Sequence, residues 1–147
     1  MDKVGLAAAA TITAGGLIAI QPPIVARLAD ATGTVPAAAI NFIVGSACLV
    51  AVALIIGEAS GFGRAGDVSW FYLLGGGVVG AVYVTTVIVT VGNLGAAGVV
   101  AATIAGQLTV SVVIDRLGIL GLDETPITPE RVLGVVLLLT GTYLIVR

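Results

Sequence analysis

Histidine is absent from the 147 residues, and cysteine occurs once, at Cys48 inside an apolar run. A lone thiol excludes an intrachain disulfide, and without histidine it leaves no ligand set for structural zinc. Charge is scarce as well: six Lys/Arg and eight Asp/Glu make up 10% of the chain, where a soluble domain carries about a quarter. So few charged side chains cannot cover the surface of a water-soluble fold of this size. No nucleophile stands at a useful spacing from a base, and no phosphate-cradling glycine loop is present, so no enzyme, cofactor or metal is expected. The formal charge of −2 comes without a basic patch or a basic run interleaved with aromatics, which removes nucleic acid from the list of partners.

What is present is apolar: 59% of the residues, with 21 glycines and a mean hydropathy of +1.20. The solvent implied is lipid. The reading is an all-α polytopic membrane protein, a single transmembrane domain over 1–147 with helices at about 4–26, 36–57, 70–91, 94–114 and 129–146. The first run is too long for the apolar core of a secretion signal, which is about 7 to 15 residues. Residues 27–35 read as a loop and Pro36 as a first-turn residue of the second helix. From Glu58 to Ser69 the chain reads as a polar connector, followed by Trp70 and Tyr72 at an interface. Gly92-Asn93-Leu94-Gly95 must hold a tight turn, because a single helix through it would overshoot the bilayer. Thr128-Pro129 reads as an N-cap with proline at the first helical position. The fully apolar part of the last run, 132–146, covers roughly 22 Å, short of a hydrocarbon core of about 30 Å, so Arg131 and Arg147 must snorkel.

Five spans put the chain's ends on opposite faces. Lys3, Arg64, Arg116 and Arg131 then lie on the N-terminal side, against Arg27 and Arg147 on the other. So small an excess gives only a weak preference for an inside N-terminus and allows both orientations.

Polar side chains inside the spans are the candidates for a transport path. Thr103, Gln107, Ser111 and Asp115 are spaced by four and form one tilted stripe, drifting about 40° per step. Gln107 is the most interior and brings both donors and an acceptor, against the plainer reading that it only bonds a neighbouring helix. Asp115 beside Arg116 reads as a local ion pair at the interface. Gln21-Pro22-Pro23 removes two backbone donors and leaves the carbonyls of Ile18 and Ala19 without their usual partners. Such a place is either a helix end or the irregular part of a discontinuous helix lining a cavity. Asn41, Tyr83, Thr85 and Thr86 complete the candidates. Gly76, Gly80 and Gly106 are small residues suited to close helix packing. No Asp, Glu, Lys or Arg lies in the middle third of any run, which argues against a carboxylate relay for protons at mid-membrane.

The order of features, Asn41-Phe-Ile-Val-Gly45, Gly75-Gly-Gly-Val-Val-Gly80-Ala81, Leu94-Gly-Ala-Ala97, then Gly106-Gln107 with Ser111, Asp115 and Gly118, and Arg131 to Gly134, resembles the YdcZ-type family of bacterial inner-membrane proteins. That family belongs to the drug/metabolite transporter superfamily. The string Gly-Gln-x-x-x-Ser-x-x-x-Asp-x-x-Gly is the most specific part. Larger members of the superfamily have ten helices built from two inverted five-helix halves, so the resemblance implies one half that pairs with a second chain in the opposite orientation. The expected partner is a second copy or a related five-helix chain, forming an antiparallel dimer. Small four-helix multidrug exporters of the same superfamily use a first-helix glutamate that this chain lacks, so their proton exchange does not carry over.

The expected function is export of a small metabolite or amphipathic compound by alternating access. Substrate-binding residues would be Gln107, Ser111, Asn41, Gln21, Thr103 and Tyr83, while Asp115, Arg116, Gly76, Gly80 and Gly106 would serve structure and the interface. The rivals are a dual-topology ion channel and a non-transporting membrane scaffold. A channel needs repeated polar rings along a wet pore, which scattered single polar residues do not supply.

Overall fold

The computed structural model describes residues 3–147, and among them all regular structure is helical. The elements are α1 (Lys3–Ile18), α2 (Gln21–Thr32), α3 (Thr34–Ile56), a 3₁₀ helix (Ala59–Asp67), α4 (Trp70–Leu117) and α5 (Pro129–Val146). Contacts divide the chain between Gly92 and Asn93 into two compact units, each described by itself.

In the first unit, the helix expected to reach residue 26 ends at Ile18. A two-residue turn at Ala19 and Ile20 follows, and α2 restarts at Gln21 with Pro22 and Pro23 in its first turn. The cause is the missing N–H groups of the two prolines, which cannot close bonds back onto Ile18 and Ala19; in the first turn of a new helix no such bond is needed. The segment expected as a loop from Arg27 is helical to Thr32. Val25 is buried, and Leu28 and Ala29 pack beside it at helical spacing. That apolar stripe holds the helix while Arg27 and Asp30 pair at 3.3 Å on the exposed side. Gly33 breaks the chain, and α3 begins at Thr34, two residues before Pro36.

The core of this unit is Val25 of α2, Ala37 and Ala38 of α3, and Val84 and Ile88 of α4, with Tyr83 packed against it. Two alanines at the contact let the α2 and α3 backbones approach closely, the usual device where lipid gives helices no hydrophobic reason to associate. The connector after α3 is not irregular: Ala59–Asp67 winds into a 3₁₀ helix. By contrast α1 buries no residue.

Helix α4 runs for 48 residues, and the turn expected over Gly92–Gly95 reduces to the single non-helical residue Gly95, at φ 66° and ψ 169°. Unbroken, it would be about 72 Å long. Backbone in this region of φ/ψ is open essentially to glycine alone, so the break is written into residue 95. Four helical stretches are long and apolar enough to cross a bilayer, Lys3–Thr32, Thr34–Ile56, Trp70–Leu117 and Pro129–Val146. Gly95 divides the third into lengths of about 37 and 33 Å, each sufficient alone.

The second unit pairs the later part of α4 with α5. Val99, Ala101 and Ala105 are buried, and Thr142 Oγ1 on α5 donates to the Ala101 carbonyl at 3.1 Å. The fourth span continues to Leu117, three residues past the expected end. The connector folds back on it: the Thr125 N–H donates to the Asp115 carbonyl at 2.7 Å. Thr128 caps α5, its hydroxyl accepting from the Arg131 N–H at 3.4 Å.

Gly118 fixes this return. Its φ is 57°, and a Cβ there would stand 3.2 Å from the Glu124 backbone nitrogen. Gly118→Ala should therefore lower stability by about 1–2 kcal/mol from the left-handed backbone alone. Gly77→Ala, helical and with nothing within 4 Å of the added carbon, should be neutral or stabilising by up to about 1 kcal/mol. Thermal unfolding of both variants in one detergent checks the contrast, and equal melting temperatures would refute it.

Candidate functional site

Gln21 Nε2 donates to Asn41 Oδ1 at 3.2 Å, a half-buried bond between the start of α2 and the first third of α3. Gln21 lies about 18 Å and Asn41 about 12 Å of helical rise from the break at Gly33, so the bond ties the start of α2 to the neighbouring α3 well away from the turn that joins them. Of the two readings open for Gln21-Pro22-Pro23, the discontinuous helix is the one the fold adopts. Gln21 and Tyr83 line a recess walled by Pro22, Val25, Val84 and Ile88. Its volume of about 10 Å³ is room for about one water. Two of the candidate residues, Gln21 and Tyr83, thus share a recess too small for a metabolite, and Asn41 is bonded to one of them.

The stripe on the later part of α4 behaves differently along its length. Asp115 does not pair with its neighbour Arg116, as expected; its Oδ2 accepts from Arg131 Nη1 of α5 at 3.3 Å. Arg116 pairs with Glu124 of the connector. Adjacent residues on a helix point about 100° apart, so each charge meets a different part of the returning chain. Ser111, Asp115 and Arg131 line a groove of about 300 Å³ with Leu108, Val112 and Gly134. Gln107 is exposed, and its side-chain amide has no hydrogen-bond partner among the described residues. Thr103 is half-buried beyond it.

Other candidates fall away or stay unexplained within one chain. Thr86 donates to its own helix at Val82 (2.8 Å), a bond that satisfies it locally. At Gly80 an added Cβ would stand 3.1 Å from Phe42 Cζ, so this glycine makes room for α3. A Cβ at Gly76 or Gly106 would meet nothing within 4 Å; neither glycine has a packing role inside the chain. Arg131 was not among the expected site residues. The signal for it was available, since the Thr128-Pro129 start places Arg131 in the first turn of α5, on the face where α4 ends.

A family model described as "Putative inner membrane exporter, YdcZ" matches residues 6–144. The chain belongs to the YdcZ family. The match takes in the broken first span, both glycine breaks, the stripe and nearly all of α5. The YdcZ description is of a transporter, not an enzyme, and a multi-pass inner-membrane location agrees with the apolar helices found here. No curated protein and no solved structure matches the chain.

The Gln21–Asn41 bond makes a specific prediction. Asn41→Leu leaves the Gln21 amide unsatisfied and should cost about 1–2 kcal/mol, whereas the double replacement Gln21→Leu/Asn41→Leu should recover part of that loss. A double-mutant cycle of unfolding in mixed micelles measures the coupling; strictly additive losses would show that the two amides act independently.

Proposed function

We propose that this YdcZ family member exports a small metabolite or amphipathic compound by alternating access across an antiparallel dimer. In this reading residues 1–147 act as one transmembrane domain, and the partner is a second copy or a related five-span chain. The observation that carries it is Gln107. It lies about 18 Å of helix beyond Gly95, near mid-membrane, yet it is exposed and its side-chain amide has no partner among the described residues. A primary amide facing lipid is costly. A partner helix or a polar substrate removes that cost.

Three further features support the reading. The recess at Gln21 and Tyr83 holds about one water, so a metabolite-sized path needs more protein than this recess provides. Gly76 and Gly106 offer flat helix surface with no neighbour within the chain, as helix association in lipid requires. The four-to-two distribution of Lys/Arg between the faces imposes little preference for one orientation. In two opposed copies, each face of the membrane presents the same charged connectors, and the path gains a two-fold axis in the membrane plane. Gln107, Ser111, Asn41, Gln21, Thr103 and Tyr83 are the lining residues in this arrangement, and Asp115 and Arg116 anchor its mouths.

Two experiments test it. A reporter active only in the cytoplasm, fused to the C-terminus, should give a mixed signal from dual insertion; activity in one topology alone would count against a dimer of identical chains. In proteoliposomes Gln107→Leu should lower flux by at least about tenfold, the scale of one lost polar contact to substrate, while cross-linked dimer yield is unchanged. Wild-type flux in that variant would remove Gln107 from the path.

A further inference from the structure

The Asp115–Arg131 pair is incomplete as an ion pair. One nitrogen meets one oxygen at 3.3 Å, and the two side chains keep 36% and 38% of their surface exposed. A guanidinium has five donors and a carboxylate accepts through two oxygens; here only Nη1 and Oδ2 are engaged with each other. Both groups are held in place by backbone. The Asp115 carbonyl accepts from Thr125, and the first turn of α5, which carries Arg131, is capped by Thr128. Asp115 lies two residues from the end of α4 and Arg131 in the first turn of α5, which puts the pair at headgroup depth.

Both residues line a groove of about 300 Å³, the lower end of the range for small-ligand sites. Leu108 and Val112 give it an apolar wall, Ser111 a hydroxyl, and Gly134 an open floor, since a Cβ there would meet nothing within 4 Å. The other pair of this unit, Arg116–Glu124, joins the last turn of α4 to the connector and lines none of this groove.

We infer that this groove is a binding site for a zwitterion with an apolar body, its anionic group on Arg131, its ammonium on Asp115 and its chain along Leu108 and Val112. A lone anion on Arg131 would stand beside the Asp115 carboxylate, and a lone cation on Asp115 beside the guanidinium. At about 4 Å either repulsion weakens binding, by roughly 1 to 4 kcal/mol between water and a protein surface. Only a ligand with both charges satisfies both residues and leaves the site neutral. The chemistry is shared by the ammonium-phosphate headgroup of a bilayer lipid and by a soluble amphipathic ammonium carboxylate. The inference concerns binding and does not depend on transport.

The test titrates the purified full-length chain in dodecylmaltoside micelles by calorimetry, in two arms. The lipid arm compares dihexanoyl-phosphatidylethanolamine with dihexanoyl-phosphatidylglycerol, an anion, and dihexanoyl-trimethylammonium-propane, a cation. The soluble arm compares leucine with isocaproate and leucinamide. In at least one arm the zwitterion should bind about tenfold or more tighter than both singly charged analogues, the scale of a charge left unpaired; the arm that shows it identifies the source. Arg131→Gln should abolish the preference. Gly134→Leu, which fills the groove without touching either charge, should do the same, and its open surroundings keep it foldable. The inference is overturned if neither zwitterion is preferred, or if the preference survives Gly134→Leu.

Discussion

A hydrocarbon core offers no hydrogen-bond partner, so every polar group in a span must find one inside the protein or at a protein contact. Most of this chain meets that demand locally. Thr11, Thr13, Thr90, Thr109 and Thr140 each donate to the carbonyl four residues back, so they are chemically silent. Other polar groups reach beyond their own helix: Gln21 bonds Asn41 across the proline break, the Thr142 hydroxyl crosses to Ala101, and Asp115 meets Arg131.

Glycine and proline set the geometry in which these groups meet. Two prolines stop α1, and Gly33 turns α2 into α3, so that Gln21 and Asn41 come to a common depth. Gly95 divides a helix that would otherwise be twice too long. Gly118 lets the connector lie against the end of α4, which aligns Asp115 with the start of α5. Each is a backbone constraint imposed by residue type, and none depends on burial of large side chains. That is what a lipid-solvated fold requires: Ile55 stays 83% exposed and α5 buries nothing, because lipid competes on equal terms for apolar surface.

The apolar runs, the fifth-helix cap and the breaks at prolines and glycines were legible because hydropathy and backbone chemistry are local properties. Residues 27–32 were misread for an equally local reason. Arg27 and Asp30 look like the end of a span, but the stripe of Val25, Leu28 and Ala29 that keeps them helical only has meaning once α3 packs beside it. The same limit governs the ion pairs. Sequence adjacency favoured Asp115 with Arg116, while the pairing adopted joins residues sixteen apart through a connector whose path follows from Gly118. Gln107 was legible as polar and interior, and its lack of an internal partner became visible only with the fold.

The two polar regions differ in a way that bears on how a molecule could pass. The groups at the proline break, Gln21, Asn41 and Tyr83, are neutral hydrogen-bonding side chains, whereas the groove of the second unit carries the formal charges of Asp115 and Arg131. An ion of one sign has no counter-charge at the centre to offset its desolvation, which costs several kcal/mol. Under the proposed function that layout favours solutes that are neutral overall, through what the central third of the spans omits as much as through what it contains.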